Sequence, residues 1–584
     1  MILATLSQLF GDAFEKLGLD REAGIVTESD RPDLAQFQCN GALSAAKAAG
    51  RNPRELAQDV IDAVGETTML EPLTIAGPGF ININLTDQAL ADQLNEVDER
   101  FNASTAEPRA VLVDFGGPNV AKAMHVGHLR STIIGDSMQR MMRFAGHDVL
   151  TDIHVGDWGT QMGQLIIEVE RRMPELVYFD DAYSGEYPEE SPVTLDDLQE
   201  MYPAVAARCK EDAEEAERAR QATLELQQGR PGYRALWNHF AKVSQVSQGR
   251  DFEELGVTFD LWHGESTVHD RVGPLIEGLI SAGVASDSDG ALVVEVAEPG
   301  DTKEIPPLIL SKSDGAYLYT TTDVATIEAR VQELHRDLIL YVVDARQALH
   351  FEQVFRAARR AGVAPSGVEL EHVGFGTMND KNGKPFKTRE GGILKLKDLI
   401  DMVSDAARAR LDEAGMAADY EEAERNEIAR RVGLAALKYG DLSNHRMSNY
   451  VFDLDRFTSF EGKTGPYLLY GAVRMTSILR KAGEQGFEPG RIVPPIDEAD
   501  RNLMLQILRF PNVFDRAISQ RAPNHLAEYA FELVATYSRF YESHHILSEA
   551  DEHLRQSWLR LVAMSLALIT LLLDLLGIQI PERM

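Results

Sequence analysis

Cysteine is nearly absent. Cys39 and Cys209 are the only two in 584 residues, so neither a disulfide framework nor a cysteine-ligated zinc site can be built, and a reducing, cytoplasmic setting is expected. Positive charge is short as well. With 58 Lys and Arg against 92 Asp and Glu, the formal net charge is −34, which excludes a protein that coats nucleic acid through bulk electrostatics. RNA would have to be met by local basic faces and by shape. Long hydrophobic runs are scarce too. LVAMSLALITLLL, from Leu561 to Leu573, falls short of the roughly 20 residues a membrane-spanning helix needs, and it reads as a core helix. The start MILATLSQLFGDAFEKLG has no basic region before its apolar residues and meets Asp12 and Glu15, so no signal peptide and no membrane partner are expected. Solenoid repeats and low-complexity tracts are lacking.

What remains is an ordinary globular composition, 44% hydrophobic and 26% charged, in a chain long enough for three or four domains at about 150 residues each. Residues 1–105 mix helical stretches (LSQLFGDAFEKLG, PRELAQDVIDAV) with GFININL, where Phe80, Ile81, Ile83 and Leu85 interleave with Asn82 and Asn84; this predicts a small α+β module. Residues 106–454 alternate apolar strand-like runs, AVLVDF and LILYVVD, with helical runs, the pattern of a doubly wound, Rossmann-type parallel sheet. Within it, residues 174–230 form an acidic, helical insertion whose charge run has the composition of a solvated helix face. From 455 to 584 amphipathic helices dominate, which predicts an all-helical C-terminal domain.

Chemistry concentrates in AKAMHVGHLRST, residues 121–132. The strand Val111–Phe115 leads through Gly116, Gly117 and Pro118 to a helix whose apolar positions Leu129, Ile133, Ile134, Met138, Met141 and Met142 recur at helical spacing until Gly146. His125 and His128 therefore stand at a helix N-terminus that follows a sheet strand, where ligands of open α/β sheets bind and free N–H groups favour anions. A zinc-protease pair would be spaced i, i+4 around a glutamate, whereas these are i, i+3 around Val126 and Gly127, so no metal ligand is assigned. Two polar residues decorating a helix start is the plainer alternative. Phosphate binding, with Gly127 letting a base approach the backbone, fits the context better.

The stretch VDFGGPNVAKAMHVGHLRSTIIGD (113–136) and HVGDWGTQMGQL (154–165) closely resemble class I aminoacyl-tRNA synthetases, specifically the bacterial-type arginyl-tRNA synthetases. HVGH is similar to the class signature written HIGH. The likeness continues through YLYTTTD (317–323), VVDARQALH (342–350), GKPFKTREGG (383–392), GPYLLYGAVR (465–474) and GIQIPERM (577–584), and so covers essentially the whole chain.

The resemblance implies an arginine–tRNA ligase that uses ATP, with Mg2+, as substrate, takes L-arginine and tRNA as partners, works as a monomer and holds no structural metal. His125, His128 and Lys122 become the catalytic residues, the histidines as transition-state hydrogen-bond donors. Gly127 joins the two histidines in binding ATP, with Lys387, Thr388 and Arg389 of a degenerate KMSKS-type loop that lacks its second lysine; the resemblance implies that Lys122 supplies the missing charge. Asn119, Glu265, Tyr319, Asp323 and Gln347 are implied to bind arginine, a planar cation best read by carboxylates. For tRNA, Tyr467, Tyr470 and Met584 are implied at the anticodon loop, and Phe80, Asn82 and Asn84 at the elbow. Two other classes remain to be separated: a nucleotidyltransferase with an HxGH site, usually much smaller, and a synthetase-like tRNA-binding protein that has lost activation.

Overall fold

A computed structural model of the chain describes residues 2–31, 34–311, 319–380, 383–384, 394–416 and 419–584, the side chain of Tyr319 excepted. Four strands form the parallel sheet expected from the alternation: β1 (Ala110–Asp114), β2 (Asp148–Asp152), β3 (Leu338–Tyr341) and β4 (Glu369–His372), in the order β4-β3-β1-β2. Helix α1 (Val126–Phe144) joins β1 to β2, α2 (Tyr319–Gln332) precedes β3, and α3 (Ala348–Arg360) joins β3 to β4. The chain thus winds outward from β1 to β2, returns to the other side of β1 as β3, and winds away again. Crevices that bind ligands open at such a reversal, beyond the carboxyl ends of the strands. The strands are apolar because both faces are covered. Leu112 and Ile339 pack with Val272, Ile327 and Val354 in one buried cluster.

The insertion departs from the solvated face that its composition suggested. Its helical stretch breaks at Asp212, whose carboxylate caps the second of two helices, Leu195–Glu211 and Ala213–Gln227. Leu198 and Leu226 from these helices pack against Leu165 and Ile166 of helix Thr160–Arg172. Beside them the fully buried carboxylate of Glu168 is held by Arg171, Arg172 and Arg208, and it stays well ionised because those three hydrogen bonds outweigh the burial that would raise its pKa. The charge run is an ion-pair network laid over an apolar seam.

By contacts the chain forms two compact units: Met1–Ser104 with Tyr470–Ala517 and Glu528–Leu572, and Thr105–Leu469 with Ile518–Ala527 and Leu573–Met584. The first holds a four-stranded antiparallel sheet, in the order Val26–Glu28, Phe37–Cys39, Phe80–Ile83, Thr74–Ala76, together with helices from both ends of the sequence. Asn95 receives Ile492 N at 3.0 Å and donates to Ile492 O at 2.9 Å, and Phe101 meets Phe510 edge to face. The apolar C-terminal run lies in a longer helix, Glu552–Leu575, which by length and composition alone could cross a membrane, since EHLRQSWLR extends it. Its Leu559, Leu561, Val562, Leu568 and Leu572 are fully buried, as a core helix requires.

Candidate active site at the reversal of the sheet

At the carboxyl end of β1 the chain turns through Gly116 and Gly117, at φ +89° and +25°, conformations that other residues seldom adopt. Gly116 N donates to Ser131 Oγ at 2.8 Å, and that hydroxyl donates to Val342 O at 2.7 Å just past β3, which ties together the two strand ends and α1. The loop 118–122 is held rigidly. Val120 N donates to Gly156 O at 3.0 Å, Ala121 N to Ser244 Oγ at 2.9 Å, and Gln248 Nε2 to Asn119 O at 2.9 Å. Asn119 itself is exposed, with its amide oxygen so near Gly156 that any Cβ there would stand 2.3 Å away.

The two histidines build the cap of α1. His125 Nδ1 accepts from Gly127 N at 3.0 Å, and His128 Nδ1 accepts from His125 N at 3.1 Å. The rings stack with centroids 4.0 Å apart. A neutral imidazole that accepts at Nδ1 carries its proton on Nε2. Both rings are held neutral: burial, then the charge of Lys122, lowers the pKa of His125, and burial with His125 and Lys122 lowers that of His128 to about 3. The helix start therefore offers a matched pair of uncharged Nε2–H donors. Gly127 is needed for this, since a Cβ would lie 2.7 Å from Cε1 of the His125 ring.

Lys122 Nζ sits over the Tyr202 ring of the insertion, 4.8 Å from its centroid. Lys387, Thr388 and Arg389 lie outside the described residues. Where the chain re-enters at residue 394, it pairs with the histidine segment: Val126 N donates to Leu394 O at 3.1 Å and Leu396 N to Met124 O at 3.0 Å.

Across the same sheet edge stands a group of carboxylates. Asp323, the fifth residue of α2, accepts from His350 Nε2 in the first turn of α3 at 2.7 Å. Glu265 opens a short turn after Gly264, with its N–H donating to Val155 O at 3.2 Å. Burial above all raises the Glu265 pKa to about 7, with the charge of His154 opposing and those of Asp157 and Asp323 adding to the rise. Asp157 accepts from Ser266 N at 2.9 Å and Ser266 Oγ at 2.6 Å. Three carboxylates that repel one another at the mouth of a sheet make a place for a cation. Of the other expected arginine ligands, Gln347 is exposed at the cap of α3, and Tyr319 begins α2, its side chain outside the described residues.

Beneath this group Arg330 is buried, its Nη2 donating to Asp114 Oδ2 at 2.6 Å and to Asp152 Oδ2 at 2.8 Å, at the ends of β1 and β2. Asp152 also accepts from His263 N at 3.2 Å. Burial would raise the Asp152 pKa, but the His263 side chain, its Nδ1 3.7 Å from Asp152 Oδ2, and the Arg330 charge together carry it well below the usual carboxylate range. One guanidinium thus braces both the helix of Asp323 and the loop of Glu265. Asp157, Arg330 and His350 were not among the expected site residues. His350 and Asp157 lie within motifs the sequence displays, and Arg330 is seven residues past Asp323, on the same helix face.

The residues expected to meet tRNA are distributed differently. Asn82 is 8% exposed and its Oδ1 accepts from Gln38 Nε2 on the neighbouring strand at 2.8 Å, so the polar face of GFININL is covered rather than solvated. Asn84 Oδ1 accepts from Gln36 N at 2.9 Å, and Phe80 is half-buried. Tyr467 and Met584 are half-buried, whereas Tyr470 is exposed.

Comparison with known proteins bears on this arrangement. Residues 90–454 match the family described as tRNA synthetases class I (R), catalytic domain; residues 468–584 match the DALR anticodon binding domain; and residues 4–85 match the arginyl tRNA synthetase N terminal domain. The chain belongs to the arginyl-tRNA synthetase family. Within that family it is 51% identical over 583 residues to the arginine–tRNA ligase of Maricaulis maris, covering 99% of each chain, and 47% identical over 588 residues to that of Alkaliphilus oremlandii, covering 100% of each. The arginyl-tRNA synthetase structure from Plasmodium falciparum matches with a TM-score of 0.81 at 27% identity, covering 100% of this chain and 99% of that one. The Thermus thermophilus arginyl-tRNA synthetase matches with a TM-score of 0.79 at 23% identity over 100% of both chains, a likeness of fold alone.

Proposed function

We propose that the site activates L-arginine with ATP and charges tRNA, as befits an arginine–tRNA ligase. An arginine carboxylate oxygen attacks the α-phosphorus of ATP and diphosphate leaves. The 2′-hydroxyl of the tRNA's terminal adenosine then attacks the arginyl carbonyl and AMP leaves. Neither step needs a covalent enzyme intermediate, so catalysis is a matter of alignment and charge stabilisation. The Nε2–H groups of His125 and His128 donate to the phosphate as it gains charge, Lys122 and the Lys387–Thr388–Arg389 loop hold the leaving phosphates, and Mg2+ accompanies ATP. Asp323 and Glu265 pair with the guanidinium, Tyr319 and Gln347 border it, and Asn119 faces the α-amino end. In three parts, residues 1–105 meet the tRNA elbow, 106–454 catalyse, and 455–584 meet the anticodon loop, in a cytoplasmic monomer.

The observation that carries this proposal is the opposition, at one sheet edge, of two neutral imidazole donors and a cluster of carboxylates: one end suits a phosphate, the other a cation. ATP–diphosphate exchange with each amino acid, with and without tRNA, tests it. Exchange with arginine and no other is expected. Nucleotide transfer without an amino acid would favour the nucleotidyltransferase, and tRNA binding without exchange would favour a protein that has lost activation.

A further inference from the structure

The helical part of the first unit contains a cluster that arginine activation does not use. Asp497 caps helix Glu498–Leu508, its Oδ1 accepting from Asp500 N at 2.9 Å. His544 lies just past helix Asn524–Ser543, its Nδ1 2.8 Å from Phe540 O. A ring nitrogen facing a carbonyl must donate, so Nδ1 carries a proton, and in the neutral tautomer consistent with that contact the Nε2 lone pair points elsewhere. It aims at carboxylates, with Asp497 Oδ2 3.1 Å away and Asp500 Oδ1 3.3 Å away.

These contacts are not hydrogen bonds. Neither His544 Nε2 nor Asp500 Oδ1 has a hydrogen-bond partner, although the two residues are only 6% and 1% exposed. The oxygens stand beside the axis of Nε2 rather than on it. Asp500 Oδ2, by contrast, is well satisfied, accepting from Ile496 N and Trp558 Nε1, both at 3.2 Å. A lone pair and the carboxylates of buried Asp500 and half-exposed Asp497 repel when brought together, and groups of this kind are found paired or bound to a cation.

The spacing suits a metal ion. Ligand atoms about 2.0–2.2 Å from a tetrahedral or octahedral ion stand roughly 2.8–3.6 Å apart at neighbouring positions, off each other's donor axes. Both nitrogen–oxygen distances fall in that span, and all three ligand atoms lie within 4.8 Å of one another. The outer contacts match as well, since metal-binding imidazoles commonly donate their other N–H to a carbonyl and metal-binding carboxylates accept hydrogen bonds from their surroundings. The Asp497 side chain is 44% exposed, which gives an ion a way in and water a way to complete its shell.

We propose that Asp497, Asp500 and His544 bind a divalent transition-metal ion of the zinc type, which clasps the start of helix Glu498–Leu508 to the end of helix Asn524–Ser543. One imidazole and two carboxylates suit zinc better than magnesium, which prefers oxygen and water. The sequence concealed this site because His544 stands 44 positions beyond Asp500, and it departs from the expectation that the chain holds no structural metal.

The test uses the full-length protein, stripped with a chelator and dialysed to equilibrium against zinc chloride at neutral pH in excess magnesium, beside Asp497→Asn. Asparagine keeps the helix-capping oxygen while removing the charge, so the variant retains its fold. The expected result is one tightly held zinc per wild-type chain, roughly tenfold or more weaker binding in the variant, and a zinc-dependent rise in melting temperature in the wild type alone. Cobalt should give a visible ligand-field spectrum that His544→Gln abolishes. Equal uptake or an equal rise in both proteins would overturn the proposal. So would a His544 imidazole proton resonance that reports an imidazolium undisturbed by zinc, because a proton would then occupy the ion's place.

Discussion

At the scale of single residues, the chemistry turns on which atoms carry protons. His125 and His128 spend their Nδ1 atoms on capping α1 and present Nε2–H outward, both with depressed pKa values. Activity should therefore persist as pH rises through about 6.5, where an ordinary imidazolium is lost. Replacing His128 by alanine should slow arginine activation about 10²-fold or more, by analogy with the removal of an oxyanion-hole donor. Asparagine, which retains an N–H donor, should be milder, and equal losses in single-turnover rates would show that the ring serves only as a cap. Glu265 sets a pH dependence that the histidines do not. Its pKa of about 7 leaves it partly protonated in the free protein, and only the carboxylate pairs with a guanidinium. We expect kcat/KM for arginine to rise with pH through about 7 and then level off, and Glu265→Gln to be lower and flat. The same shift costs stability. A folded-state pKa above the unfolded value of about 4.3 means that stability is lost as pH rises from there to about 7, so Glu265→Gln should raise the melting temperature at pH 8 but not at pH 4.

At the scale of the element, α2 and the loop around Glu265 are placed by a residue that touches no substrate. Asp323 and Arg330 lie two turns apart on one face of α2, and Arg330 anchors that face to Asp114 and Asp152. Removing one partner of a buried ion pair costs about 3–5 kcal/mol, so Arg330→Met should lower the melting temperature and raise the KM for arginine more than that for ATP. Arg330→Lys should recover much of both, because only Nη2 makes the two contacts while Nε and Nη1 make none. Asp323→Asn should show the same split in KM without the large loss of stability, and equal effects on both substrates in steady-state assays would remove it from the arginine site. The strands at AVLVDF and LILYVVD, the helix after Gly117 and the helix at PRELAQDVIDAV were legible in the sequence, because periodicity is local. The inserted helices were legible as helices but not as a packed layer. Charge dominates their composition, and the apolar seam of Leu198 and Leu226 is too sparse to stand out from it.

For the whole molecule, an acidic protein must still hold tRNA, and it must do so through particular side chains. We expect Tyr470, 38% exposed, to stack on a loop base. Tyr470→Ala should weaken tRNA charging by roughly 1–3 kcal/mol while leaving the melting temperature nearly unchanged. A fall in stability with charging intact would return the ring to the core. The phosphate clamp is the second question at this scale. With Lys122 resting on Tyr202 and a second lysine missing after Lys387, exchange should be negligible until tRNA is supplied. Lys122→Ala should abolish it even then, Lys387→Ala should be milder, and robust exchange without tRNA would show that the clamp is already complete.

The family, the alternation of strands and helices in residues 106–454, and the histidine pair at a helix start were legible in the sequence alone, because motifs and periodicity rest on neighbours within a turn or two of one another. Tertiary structure decided the rest. The acidity of Glu265, the brace from Arg330, the hydrogen bond of His350 to Asp323 and the cluster around His544 arise between residues 27 to 216 positions apart. Burial and Coulomb energy depend on distance in space and on the water excluded, and neither is written in the spacing of residues along the chain.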